Sequence, residues 1–451
     1  MSDKILRTAE KFIPKKLYKM GQPVYHYLLA LLGAIIYRFP SRKIKVVAVT
    51  GTKGKTSTVE IVNAILEEAG KKTALLGTLR FKIGNKSRPN LYKMTVPGRM
   101  FIQKFLREAV NAGCEYVVME ISSEAIKQYR NKFIDLDALI FTNLAPEHIE
   151  SHGSYEKYVN AKLSIAKQLE KSSLPEKIFA DVKSKILRAL NITFNVSAKT
   201  LTGKKNKTII ANIDDKEGKR FLDIDVPHKV VYSLNEVHDA IISEDTTEFT
   251  YKGVRIETKL LGKFNIYNIL GAIKYAEGEK IDLTIIKSSL VKLTEISGRA
   301  QKIDEGQDFK VVVDYAHTPD SLRAIYETFS DSKIIGVLGN CGGGRDKWKR
   351  KEMAEIADKY CKEVILTDED PYDDDPREIV EDMAKYFKKI KPKIVMDRRM
   401  AIANAFRLAQ KGDVVIITGK GTDPYIMRKD GVKETWSDAD VVREELKKIR
   451  E

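Results

Sequence analysis

"VVAVTGTKGKTST", Val46 to Thr58, decides the fold. The β-branched run from Ile44 to Val49 suits a buried strand. From Thr56 the apolar residues Val59, Val62, Ile65, Leu66 and Ala69 recur at helical spacing, with Gly70 at the expected stop. Between them, Gly51, Thr52, Lys53, Gly54, Lys55, Thr56 and Ser57 form a shortened phosphate-binding loop. The full pattern G-x-x-x-x-G-K-[ST] would require glycine at Val49. Strand, glycine turn and helix nevertheless follow in the required order. Loop amides and a helix N-terminus together offer donors and a positive dipole to an anion. In that arrangement Lys55 neutralises β/γ-phosphate charge and the Thr56 hydroxyl holds Mg²⁺. The competing reading is an ordinary glycine-rich turn.

The chain has 451 residues, enough for two or three domains, with 31% charged and 43% hydrophobic residues, a globular composition. A formal charge of +16 would suit nucleic acid, an anionic membrane surface or phosphorylated substrates. The lysines are scattered and no motif that reads RNA or DNA accompanies them, so a lysine-rich solvated surface with no nucleic-acid partner is the expectation. Cys114, Cys341 and Cys361 are odd in number and widely spaced, which suggests neither a disulfide framework nor a thiolate zinc site and fits a reducing cytoplasm.

The apolar stretch "YHYLLALLGAIIYRF" from Tyr25 is shorter than the roughly 20 residues that span a bilayer. Lys15, Lys16 and Lys19 precede it, and Arg38, Arg42, Lys43 and Lys45 follow. Two readings stay open: peripheral contact of residues 24–39 with the inner face of a membrane, or a helix packed on the protein's own body, the preferred one.

After the first strand-loop-helix unit, "TALLG", "EYVVMEIS" and "DALIFTN" alternate with helical patterns, predicting a mostly parallel sheet covered by helices. From about Thr193 to Leu261 short alternating stretches with lysine and glycine turns read as antiparallel strands. A second α/β series begins near Arg299, with five buried-strand candidates: "FKVVVDYA", "KIIGVLGN", "EVILTDE", "KIVMD" and "DVVIITGKG". The expected α/β architecture is a short helical segment over residues 1–43, a central P-loop-type ATP-binding domain over 44–297, and a C-terminal Rossmann-like domain over 298–451.

Several motifs in order resemble those of the Mur ligases, ATP-dependent amide-forming enzymes of cell-wall assembly, and among them the MurE type. "TGTKGKTST" is similar to the family's ATP loop, "MEISSEAI" to M-E-[VI]-S-S-H-A-L, and "FTNLAPEHIESHGSYEKYVNAK" to F-T-N-L-x-x-D-H-L-D-x-H-G with its trailing Y-x-x-A-K. "GKFNIYNILGAI", "SGRAQ", "VVVDYAHTPDSL", "GNCGGGRDKWKR" and "GKGTDPY" follow at the family's distances.

The resemblance implies transfer of the ATP γ-phosphoryl group to a peptide carboxylate, giving an acyl phosphate that an amino acid's amine attacks. Negative charge gathers on oxygen in both steps, so cations must be fixed around it. Glu120 and His148 are implied as Mg²⁺ ligands, and Lys162 as a carbamate holding a second Mg²⁺. Asn268 is implied to contact adenine, and Arg299 and Asp314 to grip phosphates and ribose. His317 reads as structural. Thr95, Ser122, Ser123 and Arg130 match contacts to the peptide of the cell-wall precursor, and Lys420 faces the acyl phosphate or the incoming substrate. Folate- or cyanophycin-type ligases of the same superfamily, or a P-loop ATPase with a charged partner, are the alternatives.

The sequence departs from the pattern at four places. Only about 44 residues precede the loop strand, where the family carries a uridine-binding domain. Glu124 replaces the histidine of S-S-H, and Glu147 the aspartate of D-H. The amino-acid motif D-N-P-R becomes Glu369, Asp370, Pro371 and Tyr372. Tyr372 cannot make the bidentate fork by which an arginine grips a distal carboxylate. With Glu369, Asp370 and Asp423 nearby in the motifs, a basic free amino acid is expected, lysine first and ornithine second. Asp373 to Asp375 read as a solvated loop.

Overall fold

Strand β1 (Lys45–Thr50) pairs in parallel with β5 (Tyr116–Glu120) on one side and β6 (Ala138–Phe141) on the other, Val47 standing opposite both Val118 and Ala138. Strands covered on both faces carry unbroken apolar runs, which is how these three read. They centre an eight-stranded sheet in the order β4-β3-β2-β5-β1-β6-β7-β8. In it β2 (Thr73–Leu76), β7 (Thr208–Asn212) and β8 (His228–Tyr232) are also parallel, while β3 (Arg80–Ile83) and β4 (Lys86–Pro89) double back at one edge. The computed structural model describes residues 15–147, 149–170, 207–345 and 347–450.

The chain forms two compact units. The first contains the eight-stranded sheet with helices α1 (Lys15–Ile36), α3 (Arg99–Asn111), α4 (Ser123–Lys127) and α5 (Tyr155–Glu170). The second takes up helix α2 (Lys55–Glu68), residues 145–155 and everything from Ser233 onward. There α2 packs on α6 (Lys263–Gly278) and α7 (Leu283–Lys292), and Lys292 and Ser288 both reach Glu68. Strands β9 (Val237–Ile242), β10 (Thr247–Tyr251) and β11 (Val254–Thr258) form a small antiparallel sheet.

The rest of the second unit is built on six strands in the order β12-β13-β17-β14-β15-β16. Their ranges are β12 (Gln301–Lys302), β13 (Lys310–Val313), β14 (Ile334–Leu338), β15 (Cys361–Leu366), β16 (Lys393–Ile394) and β17 (Val414–Ile417). Side chains alternate across a strand. Val312 and Ile416 therefore join Tyr326 of α8 (Pro319–Thr328) and Met353 of α9 (Lys349–Tyr360) on one face. Val311, Val313 and Val415 join Ile402 of α10 (Arg398–Leu408) and Val442 of α11 (Asp438–Arg450) on the other. A bidentate ion pair ties the last two helices, Arg398 Nη2 and Nε reaching Asp438 at 2.7 and 2.8 Å with both side chains buried.

Two expectations are corrected. "KTIIANIDDKEGKRFLDIDV" is not antiparallel: it supplies β7 and the helical crossover to parallel β8, and the antiparallel reading holds only for β9–β11. The alternating end of that stretch, Leu222 to Val226, is the end of the crossover helix and the connection to β8 and not a strand, while β7 is a mostly buried run and β8 a largely solvated edge. "KIVMD" forms a two-residue exposed edge, β16, rather than a buried strand, because it ends the six-stranded sheet. The part of the alternating region before Lys207 lies outside the described residues. All three cysteines are free thiols.

Candidate active site

The loop after β1 is shaped by two glycines. Gly51 has φ +150°, and a Cβ there would stand 1.9 Å from Thr142 Oγ1. Gly54 has φ +80°, where a Cβ would stand 2.2 Å from Asn268 Oδ1. Both positions are closed to side chains, so the loop backbone lies tight against Thr142 and Asn268. Asn268 is buried behind the loop, accepting from Thr58 Oγ1 and donating to Asn265. Thr52 locks the loop to Ala145 through two hydrogen bonds. Lys55 Nζ donates to the Thr52 carbonyl at 2.8 Å, and Thr56 opens α2 with its hydroxyl 3.4 Å from Arg299 Nη2. Ser57 is buried in the first turn.

Beside the loop lies a cavity of about 640 Å³ lined by Thr52, Lys53, Glu147, Thr318 and Trp348 among others. Glu147 Oε1 is its organiser, accepting from Lys53 Nζ at 2.9 Å and standing 3.1 Å from His317 Nε2. Burial and the nearby Lys53 charge push His317 down to about 4, with Glu147 resisting, so the imidazole is neutral at physiological pH. Burial also lowers Lys53, against the pull of Glu147. Asp314, at the end of β13, accepts from the amides of Ala300 and Ala316 at 2.6 and 2.7 Å. Burial raises its pKa while Arg299 opposes the shift, and the Arg299 guanidinium lies 4.5 Å from the Tyr315 ring centre.

In the first unit, Glu120 ends β5 with a buried carboxylate held by the Thr78 amide at 2.6 Å and the Thr78 hydroxyl at 2.9 Å. Thr78 in turn meets Thr95 at 3.1 Å, which joins the expected metal ligand to an expected substrate contact. Ser122 caps α4, Ser123 is buried behind it, and Arg130 donates to Val96 O and Gln128 Oε1. Lys162 is buried on α5, its Nζ 2.6 Å from the Gly51 carbonyl and 5.0 Å from the Tyr158 ring centre. It is therefore no solvated helix lysine. His148 lies outside the described residues.

A second cluster forms at the C-terminal ends of β15 and β17. Lys420, fully buried, donates hydrogen bonds to Asp370 Oδ1 (2.9 Å), Asp423 Oδ2 (3.2 Å) and the Tyr425 carbonyl (2.6 Å). Burial alone would lower its pKa, but Asp423 and Asp370 outweigh it and hold the ammonium charged. Glu369 is buried and accepts from Cys341 through Oε1, while its Oε2 has no hydrogen-bond partner among the described residues. Tyr372 adopts the left-handed φ of +54°, and its hydroxyl accepts from Arg345 Nη2 at 2.9 Å, the guanidinium lying 5.0 Å from the ring centre. Asp373 and Asp375 are exposed and Asp374 partly so, and each accepts from a backbone amide, so this run is a solvated turn that also caps the next helix.

Residues 49–276 match the Mur ligase middle domain, and residues 298–421 the Mur ligase glutamate ligase domain. A UDP-N-acetylmuramoyl-L-alanyl-D-glutamate–2,6-diaminopimelate ligase of Syntrophomonas wolfei is 37% identical over 421 residues, 90% of this chain and 79% of that one. The chain belongs to the Mur ligase family. A ligase of the same description from Aquifex aeolicus is 34% identical over 432 residues, covering 92% of this chain and 80% of its own. A solved structure with that description superposes with a TM-score of 0.58 at 27% identity, over 90% of this chain and 79% of the other. Folylpolyglutamate synthase of Mycobacterium tuberculosis shares the fold alone, with a TM-score of 0.61 at 13% identity over 87% and 92% of the two chains. This Mur ligase is a MurE-type, ATP-dependent amino-acid ligase of peptidoglycan biosynthesis. Among its described residues no helix is long and apolar enough to cross a membrane.

Two residues of this Mur ligase escaped the sequence reading. Thr78 sits in a plain turn after β2 and carries no motif signal. Arg345 lies inside "GNCGGGRDKWKR", and its separation from Tyr372 by 27 positions hid their contact.

Proposed function

We propose that this Mur ligase joins a basic amino acid, lysine first, to the free carboxylate of UDP-N-acetylmuramoyl-L-alanyl-D-glutamate, the acceptor named for its relatives. The observation that carries the choice is Glu369 Oε2, buried beside Cys341 and Gly419 and without a hydrogen-bond partner among the described residues. An orphaned buried acceptor asks for a donor, and an amino acid's ammonium supplies one. Tyr372 offers no fork for a second carboxylate, and Asp370 with Asp423 already outnumbers the single Lys420 ammonium between them.

The chemistry follows in two displacements. An acceptor carboxylate oxygen attacks the γ-phosphorus of ATP and ADP leaves. The incoming amine then attacks the acyl-phosphate carbonyl, losing its proton to solvent or a neighbouring base as inorganic phosphate departs with the C–O electron pair. The amides of residues 51–57, Lys53 and Lys55 bind the phosphates, Arg299 adds a second cation, and Asn268 and Asp314 position the nucleoside. Thr95, Ser122, Ser123 and Arg130 hold the acceptor peptide. Residues 44–297 form the nucleotide- and acceptor-binding domain and 298–451 the amino-acid domain.

The residues fit magnesium. Glu120 is a buried carboxylate whose partners among the described residues are only the two donors of Thr78, a charge that burial makes costly without a cation. Within the first unit, Glu120 and a carbamate on Lys162 would hold it; Thr56 and His148 are proposed as ligands from their motifs alone. Bound there, Mg²⁺ supplies positive charge for the oxygens that become negative in both displacements. The place of work is the cytoplasm, where ATP and a nucleotide-linked precursor meet.

A second reading, diaminopimelate as the amino acid, is favoured by Arg345, whose guanidinium against Tyr372 is a cation at the position of the missing arginine. The relatives' names point the same way. Purified enzyme given ATP, UDP-N-acetylmuramoyl-L-alanyl-D-glutamate and equal lysine, ornithine and diaminopimelate separates the two by product mass. Lysine favoured more than tenfold supports the first reading. Diaminopimelate favoured replaces it with the second, and ATP cleavage with no amide product from any of them defeats both.

A further inference from the structure

Helix α1 uses one face to pack and leaves the opposite face bare. Ala30 and Ala34 are buried with Phe39 and Phe133, and Gly33 lets the helix press against Met100 of α3, where a Cβ would stand 3.0 Å from the sulfur. Tyr27 closes the contact against Phe133. On the outside, Val24, Leu28, Leu32 and Ile36 are 61%, 56%, 44% and 50% exposed, and Tyr25 flanks them. A spacing of four places these aliphatic side chains in one stripe along the helix. Exposed apolar residues usually occur singly, so a continuous aliphatic stripe marks a surface that is covered in use.

Charge identifies what covers it. No aspartate or glutamate occurs between Glu10 and Glu60 in the sequence, while Lys15, Lys16 and Lys19 occur at the start of this stretch. Arg38 and Lys43, both exposed, follow the helix, whereas Arg42 is held by Asp135 at 3.2 Å. Arg107 of α3 donates to the carbonyls of Tyr37 and Arg38 at the end of α1, adding another cation there. A second copy of this surface would set like charges against one another. An aliphatic stripe bordered by arginine and lysine matches a bilayer with anionic headgroups, in which such a helix lies in the plane of the interface.

We propose that the outer face of α1, from Val24 to Ile36, docks the protein on an anionic lipid surface. One short stripe gives reversible, salt-sensitive attachment.

The test is co-sedimentation of the full chain with vesicles of phosphatidylglycerol and phosphatidylcholine in equal parts, against phosphatidylcholine alone. Binding should appear on the anionic vesicles at low salt and weaken at least tenfold in high salt or without phosphatidylglycerol. The double variant Leu28→Gln, Leu32→Gln should bind at least tenfold more weakly while its ligase turnover stays that of the wild type. Failure of the wild type to sediment with the anionic vesicles overturns the proposal, as does a double variant that binds equally well. Self-association that ignores vesicles and depends on Leu28 and Leu32 also overturns it, assigning the stripe to a second copy.

Discussion

Lys162 Nζ donates to the carbonyl of Gly51 at 2.6 Å, so a buried lysine of α5 touches the first residue of the phosphate loop. Its place in the proposed chemistry is as a carbamate, a cation converted into an oxygen ligand. Carbamylation needs the neutral amine, scarce for a group whose ordinary pKa is about 10.4, so the site must stabilise the product. Lys162→Ala should lose most turnover and regain part of it with added acetate or formate, and wild type in ¹³C-bicarbonate should show a carbamate resonance absent from the variant. Full activity in the alanine variant would refute the assignment.

The left-handed backbone of Tyr372 fixes which way this turn presents its side chain. Tyr372→Arg should shift selectivity toward diaminopimelate by tenfold or more, since a distal carboxylate clamp is worth about 2–5 kcal/mol when desolvated. Ratios of kcat/KM for the two amino acids read this directly. Unchanged ratios would mean that Tyr372 does not line the distal end of the amino-acid pocket.

His317 is held neutral beside Lys53 and Glu147, with its pKa lowered to about 4. Its unfolded value is about 6.5. Between those values the unfolded chain binds the extra proton, so the stability this histidine contributes is complete above pH 6.5 and is lost as the pH falls toward 4. Compared with His317→Gln, the wild type should lose an additional 1–3 kcal/mol, roughly, on acidification across that window. Urea titrations at several pH values measure the difference. Parallel losses in the two proteins would count against the lowered pKa.

Arg398 and Asp438 are both buried, and each is the other's charge partner. Arg398→Ala would strand the Asp438 carboxylate, which the Trp436 indole alone would then serve. The expected destabilisation is about 3–5 kcal/mol, while Arg398→Met combined with Asp438→Leu should recover much of it. Chemical denaturation of the three proteins tests this, and a loss below about 1 kcal/mol for the alanine variant contradicts it.

Gly54 and Gly70 both hold positive φ, but only Gly54 is crowded, by Asn268. Gly54→Ala should weaken ATP binding at least tenfold. Gly70→Ala, whose added methyl group meets nothing within 4 Å, should cost stability of only about 1–2 kcal/mol and leave ATP affinity alone. Isothermal titration with ATP and thermal melts distinguish the two. Equal affinities would place the phosphates elsewhere.

The sequence by itself determined the parallel core and the position of the loop. Val46 to Thr50 and Tyr116 to Glu120 are buried on both faces, and only long apolar runs satisfy that environment. The glycine loop was legible because its amides, helix start and Lys55 are contiguous in the chain. Tertiary structure alone decided the rest. It paired Glu147 with Lys53 and His317, Arg345 with Tyr372, and Thr78 with both Glu120 and Thr95. It also showed β8 to be a largely solvated edge paired in parallel with β7, a pairing direction that the local sequence does not encode. And it turned α1 so that Ala30 and Ala34 face inward while Leu28 and Leu32 face out, a choice that the helix, apolar on both sides, left undecided until α3 supplied a partner for one of them.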